Sequence, residues 1–481
     1  MRTASTVAWQ PLREQLRGDL VLPADDTYET ARQAQIAEYD RIRPAAVAFC
    51  RSADDIRHCL RFAADNGIDV TARSGRHNFA GWSTGEGLIV DTSWLDHVAV
   101  TTDTVVIGAG APAVEVVTAL KPHGRQVVTG ICPTVGMGGY VLGGGIGWQT
   151  RSYGPASDRL VAATVVTAAG DVVRASETEH PDLFWALRGG GGGNFGIVVD
   201  LEVRPIAVPR FTNFTLSWGW DHALDLLEHW QAWTTTGPRL LSSEIGALLV
   251  DAAPEAVPAV FMHGAYLGSQ AEADAALDAL CHAAGAEPQL RVATELPYDQ
   301  AMYQLYRCEG MSSRQRRRVG DNPEAVLPRQ PFQRERHRLF TRPMDRAALA
   351  SAIEAFDADR TAGQFRYFAL MSLGGAANDV APTATAYVHR DAEFLAKYAL
   401  GGQDPTADYG ADFATAAQQW VDRGFAVLDP LSNGHSYVNY PDPALADWQW
   451  SYYGENHRRL TEVKKTYDPT GVFRFAQSVG G

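Results

Sequence analysis

The residue types able to do chemistry in this chain gather in two glycine-rich stretches. GICPTVGMGGYVLGGGIGW, Gly130 to Trp148, sets Cys132 among eight glycines and almost no charge. TARSGRHNFAGWSTGEGLIVD, Thr71 to Asp91, sets His77 in a second glycine-rich loop directly after a strand-like run. Glycine at this density marks backbone that bends through positive φ or lies against another molecule. A thiolate and a neutral imidazole are both nucleophiles, and a loop of successive backbone N–H groups can receive an anion. Each residue alone has an ordinary reading, a buried inert thiol or a hydrogen-bonding loop histidine; the pair sets two good nucleophiles in glycine loops of one α+β region, with no metal spacing between them. The glycines form neither familiar phosphate loop. Gly-Lys-Ser/Thr is absent, Gly136-x-Gly138 lacks a third glycine at the dinucleotide spacing, and GAGAPA at 108–113 has no acidic residue suitably placed.

The bulk of the chain narrows the classes. Its 481 residues suggest about two or three domains, and 46% hydrophobic against 20% charged residues supplies large cores. A net charge of −14 argues against a nucleic-acid partner, and SRQRRR (Ser313 to Arg318) reads as a solvated loop. Five scattered cysteines have no metal-type spacing, so no metal site is expected; Cys50, Cys59, Cys281 and Cys308 read as core residues. No secretory signal or long apolar run is seen, so a cytoplasmic protein without membrane attachment is expected.

The elements that must position the two loops read as α+β. VAFC, the amphipathic DDIRHCLRFAADNG, IDVTARSG and LIVDTSW give strand, helix, strand, strand. VAVTTDTVVIGAG, a helix-like PAVEVVTALKPHG and a β-type QVVTG lead into the Cys132 loop. ATVVTAAGDVVRAS reads as two strands about a tight turn, and FGIVVDLEVRPI as a strand ended by proline. After Pro205 longer alternating strands and helices indicate an antiparallel sheet covered by helices. The tail YYGENHRRLTEVKKTYDPTGVFRF reads as a helix ended by Asp-Pro.

RSGRHNFAG, the Cys132 loop, YVNYPD and YYGENHRRLTEVKKTYDPTGVFRFAQS, in that order, make the chain resemble the bacterial berberine-bridge-enzyme-like FAD-linked oxidases of the vanillyl-alcohol-oxidase fold, nearly end to end. The resemblance implies a two-lobed α+β protein: an FAD-binding domain over 1–206, a substrate domain over 207–436, and a C-terminal segment, 437–481, returning to the first. It implies FAD attached twice, His77 to the 8α carbon and Cys132 to C6. Cofactor contacts then fall on Arg73, Ser74, Gly75, Arg76, Asn78 and Gly81 in the first loop. In the second they fall on Gly130, Val135, Gly136, Gly138, Gly139, Tyr140, Gly143, Gly144 and Gly147, and beyond it on Gly193, Asn194, Gly196, Ile197, Val198, Tyr437 and Asn439.

The resemblance further implies Tyr440 as catalytic base, with Tyr153 near the substrate and Val135 gating oxygen. Tyr367 is a further candidate from its strand in the second domain. Arg76 departs from the Gly-Gly-His of many relatives, and is expected either beside the diphosphate or in solvent. Tyr140 departs from a frequent histidine. Where carbon–carbon bond-forming members carry a glutamate, EFLAKYALGGQ offers Lys397, Tyr398 or Gln403. If SYVNYPD is a regular strand, alternation puts Tyr437 and Asn439 on one side and Tyr440 on the other. The expected reaction is oxidation of a hydroxyl-bearing carbon of a small molecule, with oxygen reduced to hydrogen peroxide. The alternatives are oxidative cyclisation or desaturation of a polyketide- or alkaloid-like scaffold, and a flavin- or ligand-binding protein without turnover.

Overall fold

The computed structural model describes residues 7–208, 210–404 and 407–481. The chain begins its architecture with a four-stranded sheet in the order Asp19–Val21, Ala46–Phe49, Leu88–Asp91, Val70–Arg73. The last three strands are mutually parallel. The helix that makes their crossover possible, Ala53–Asn66, starts where Ser52 accepts from the Asp55 N–H and stops at Gly67, left-handed at φ 65°. A five-stranded antiparallel sheet follows, ordered Val98–Val100, Val105–Gly108, Ile197–Val203, Leu160–Val166, Val172–Ser176. The tight turn expected between the last two in sequence closes with the Thr167 N–H on the Asp171 carbonyl (2.9 Å).

The third sheet has seven antiparallel strands, all between Phe211 and Gly402, in the order Leu290–Leu296, Phe211–Gly219, Ala259–Tyr266, Leu241–Leu249, Gln364–Ser372, Phe394–Gly402, Gln333–Phe340. The helices Ala223–Thr236, Gln270–Ala284, Arg346–Asp357 and Ala411–Leu428 cover one face, building a core around Trp218, Trp230, Phe368 and Tyr398. The molecule is thus a two-lobed α+β fold. The lobes are stitched rather than merely adjacent: Tyr298 and Tyr306, from the middle of the chain, donate their hydroxyls to the Val127 and Gly130 carbonyls of the first lobe (3.1 and 3.0 Å).

Three local expectations fail. QVVTG forms only an isolated bridge, Gln126 to Ile206. The glycine stretch holds a short helix, Met137–Leu142, because its N–H groups at 137 and 138 find the Ala111 and Ala109 carbonyls. SRQRRR is not a solvated loop: Arg316 and Arg318 are buried, Arg318 against Asp321, while Arg317 reaches Asp96 of the first lobe.

Candidate active site at the junction of the lobes

The His77 loop leaves the C-terminal end of Val70–Arg73, where parallel strands commonly present ligand sites. Arg73 anchors it, buried, with its guanidinium on Asp91 and the Ala31 carbonyl. The backbone N–H groups at 75–78 have no acceptor among the described residues, and Arg76 sits left-handed at φ 65° between them, an arrangement suited to an anion. His77 is pinned by its Nε2, 2.8 Å from Thr134 Oγ1. Burial, with Arg318 nearby, pushes its pKa down to about 3, so the imidazole is neutral.

The Cys132 loop lies against the His77 loop with no side chain between: a Cβ on Gly75 would land on the Gly136 nitrogen, and one on Gly136 on Ser74 and Gly75. Ser74 Oγ and the Gly138 N–H share the Ala109 carbonyl (2.7 and 2.8 Å), which fixes both loops to one strand end. Cys132 is exposed toward the space between the lobes. Burial of its surroundings pushes the thiol pKa up, opposed by Lys397. Gly139 and Gly193 leave room where side chains would stand. Asn194 ties this wall to the C-terminus, accepting from the Val479 N–H (3.0 Å) while its carbonyl accepts from Lys464 (2.7 Å).

The far wall is a turn, with a face of the seven-stranded sheet packed behind it. At 437–440 the Tyr440 N–H donates to the Tyr437 carbonyl (2.9 Å), so this segment is a turn and not the regular strand that alternation assumed. Tyr437, Asn439 and Tyr440 consequently all line the cavity. Tyr440 stacks on Phe79 (5.5 Å, 12°), stands edge-on to His337 (5.8 Å), and makes no hydrogen bond through its hydroxyl among the described residues. Burial, then Glu335, Tyr437, Glu244 and Cys132, push its pKa well above the usual phenol value.

Behind it the Lys397 ammonium lies 5.8 Å from the ring centroids of both Tyr440 and Tyr367 and 2.9 Å from Glu244. Lys397 pairs across strands with His337, and Glu244 with His263, so one sheet face carries the cluster. Burial pulls the Lys397 pKa down, but Glu244 and Glu335 more than offset it and its pKa is raised. Glu244 goes down despite burial, through Lys397 and His263; Glu335 goes up because burial prevails.

Positions 73–78, 130, 132, 135, 136, 138–140, 193, 194, 196–198, 437, 439 and 440 line one cavity, so most expected contacts converge. Others do not. Gly81 packs against Tyr39, Gly143 against Asn439, Gly144 against Tyr387 and Tyr437, and Gly147 against the Thr129 carbonyl, so these glycines serve loop packing outside the cavity. Tyr153 is turned away, its hydroxyl on the Ala207 carbonyl. Tyr367 lies outside the cavity lining and meets it only through Lys397. Arg76 is not in solvent: buried, its side chain reaches Asp91 (3.5 Å) and Asp321 (3.6 Å) while its backbone lines the cavity.

Of the three candidates in EFLAKYALGGQ, Lys397 is at the site, Tyr398 is on the helix-covered face with its hydroxyl on the Ala352 carbonyl, and Gln403 is at the strand end. Glu244, Glu335, His263 and His337 were missed. For Glu244 and His263 the signal was a titratable residue inside a largely apolar strand, as in SSEIGALLV and AVFMHGAY, whereas Glu335 and His337 stand in the charged run QRERHRLF, which offers no such contrast.

Comparison with known proteins agrees with this arrangement. The FAD binding domain family matches residues 44–176, and the berberine and berberine-like family matches 436–480. The FAD-linked oxidoreductase YgaK of Bacillus subtilis strain 168, itself uncharacterized, is 31% identical over 97% of this chain and 98% of its own. A solved chitooligosaccharide oxidase is 26% identical, with a TM-score of 0.83 over 98% of each chain. The solved glucooligosaccharide oxidase of Acremonium strictum, described with 6-S-cysteinyl, 8α-N1-histidyl FAD, is 26% identical, with a TM-score of 0.81 over 96% of this chain and 97% of its own.

A glycine-walled cavity at the junction of an FAD-binding lobe and a sheet lobe defines an FAD-linked oxidoreductase. Within that class the chain belongs to the berberine-bridge-enzyme-like family. The residues present fit FAD: free backbone N–H groups suit its diphosphate, and the room beside Gly139 and Gly193 admits a flat ring system. No helix among the described residues is long and apolar enough to cross a membrane.

Proposed function

We propose that this enzyme oxidises a hydroxyl-bearing carbon of a sugar, glycoside or secondary metabolite, with FAD attached through both His77 and Cys132 and with molecular oxygen as electron acceptor. The observation that carries the reading is that Tyr440 presents an unengaged hydroxyl to the same cavity that His77 and Cys132 line. FAD, when bound, supplies the redox chemistry by accepting a hydride and passing its electrons on. The chain supplies alignment and proton management. Tyr440 receives the substrate hydroxyl proton as its phenolate, a form that burial and Glu335 oppose, so the base acts from the deprotonated fraction of the phenol. Lys397 holds positive charge over the ring, balanced by Glu244. The names of the chitooligosaccharide and glucooligosaccharide oxidases support a carbohydrate hydroxyl as the first class to try.

The test is peroxide release by the purified protein with oligosaccharides, glycosides and aromatic alcohols. Peroxide from a hydroxyl substrate, with the corresponding carbonyl product, supports the reading. Turnover that yields only cyclised or desaturated products, or no turnover with any of them, overturns it.

A further inference from the structure

We propose that Thr134 is a positioning residue for covalent attachment of the flavin: its hydroxyl accepts the Nε2–H of His77, which fixes the imidazole tautomer and leaves Nδ1 as the nucleophile. This rests on the reading above that His77 bonds the cofactor. The geometry on which it stands is the 2.8 Å contact between Nε2 and Thr134 Oγ1, across two loops that touch at Gly75 and Gly136. Nδ1 makes no hydrogen bond among the described residues, and His77 lines the cavity, so Nδ1 is the free nitrogen of the ring. A histidine whose one nitrogen donates must carry its lone pair on the other. Burial with Arg318 nearby keeps the ring unprotonated, so that lone pair is available. Thr134 also belongs to the loop that carries Cys132, two residues away, so one short segment sets both attachment points.

The step balances as follows. The 8α carbon of the flavin loses one proton, the Nδ1 lone pair of His77 forms the new bond to that carbon, and the two electrons released reduce the ring system. The Nε2 proton, held by Thr134, leaves the alkylated imidazole. Molecular oxygen then takes the two electrons with two protons and departs as hydrogen peroxide.

The experiment uses the full chain with Cys132→Ala, so that only the histidyl bond counts, produced under riboflavin starvation and then mixed with FAD. Covalent flavin is followed as colour retained in acid-precipitated protein and as added mass, and reversible FAD binding by flavin fluorescence. Thr134→Val keeps the branched shape and removes the hydroxyl, so it should bind FAD as before but form the bond about tenfold more slowly, the equivalent of one lost hydrogen bond. Thr134→Ser should restore the rate. Long-range 15N correlation should show the Nε2–H tautomer of His77 with threonine or serine and a mixed population with valine. A rate for Thr134→Val within threefold of the parent, or an unchanged tautomer, overturns the proposal. If the parent with Cys132→Ala forms no covalent flavin at all, the histidyl attachment itself fails, a result distinct from a slow valine variant.

Discussion

Tyr437 and Tyr440 meet edge to face, ring centroids 5.2 Å apart at 82°, because the N–H of Tyr440 closes a turn on the carbonyl of Tyr437. In an extended strand two such residues would stand roughly 10 Å apart on opposite faces. The turn brings both to the cavity and separates their work. The Tyr437 hydroxyl is occupied, accepting from the Gly145 N–H and Asn439 Nδ2 (2.8 and 2.9 Å), so it braces the Cys132 loop. The hydroxyl of Tyr440 is left without a hydrogen bond among the described residues, in the cavity wall.

Tyr440→Phe keeps the stacking on Phe79 and the turn, and removes only the group that handles the proton. Folding and flavin content should be unchanged. Anaerobic flavin reduction by substrate, measured by stopped flow, should fall by roughly 10²–10⁴-fold. A fall of less than threefold would move the base elsewhere, with the Lys397 cluster next to be tried.

Much of this site could be read from the chain because its loops are local. Gly75, His77, Cys132 and Gly136 lie in contiguous motifs whose glycines have one physical purpose, close backbone approach, and the fold preserves that purpose. The sheet face was illegible for the opposite reason. Glu244, His263, Glu335, His337 and Lys397 come from four strands, and what joins them is cross-strand register, which no local pattern encodes. The turn at 437–440 was misread because Tyr-Val-Asn-Tyr has the composition of a strand, and the side chains of Tyr437 and Asn439 that hold the turn in place bond to Gly145 and Tyr140, nearly three hundred residues earlier. The sequence left Arg76 open between cavity and solvent because its partner Asp321 is over two hundred residues away.

Gly136→Ala tests the contact between the loops. The residue has an ordinary φ of −74°, so backbone strain is not the issue; the added Cβ simply meets Ser74 and the Gly75 backbone. Overpacking of this kind costs about 1–3 kcal/mol. Purified Gly136→Ala should show a lowered melting temperature and reduced flavin per chain, whereas Gly139→Ala, with open space around it, should bind less flavin at unchanged apoprotein stability.

If both attachments form, acid precipitation of the wild-type protein should leave the yellow colour in the pellet. His77→Ala and Cys132→Ala should each retain covalent flavin, and the double variant should release all of it to the supernatant. Free FAD from the wild type would show that neither bond is made.

Val135 lines the cavity three residues beyond Cys132, with its carbonyl tied to the Ala113 N–H (3.0 Å), so its backbone is fixed there, and we propose that its side chain gates oxygen. Val135→Leu adds one carbon there. Re-oxidation of the reduced enzyme by oxygen should slow far more than reduction by substrate, each half-reaction measured separately by stopped flow. Equal slowing of both would mean that Val135 only packs the loop.

The Lys397–Glu244 pair gives a stability prediction with a definite sign in pH. Glu244 has its pKa lowered in the fold, so its contribution is present above the unfolded carboxylate value of about 4.3 and is lost as pH falls through the lower folded value. Lys397 has its pKa raised, so its contribution is complete below about 10.4 and is lost as pH rises through the folded value. Between these limits Lys397→Met strands Glu244 in a site where burial favours the neutral acid, at a cost of about 3–5 kcal/mol. In acid the wild type loses the benefit of the pair and the variant's Glu244 is already protonated. The gap in melting temperature between wild type and Lys397→Met should therefore be widest near neutrality and should close as pH is taken below about 4. Lys397→Met with Glu244→Gln should recover part of the loss at pH 7 and show no such closing. A gap that stays constant from pH 7 to about pH 3 would place the stabilising role of Lys397 in packing against Tyr440 and Tyr367 rather than in its charge.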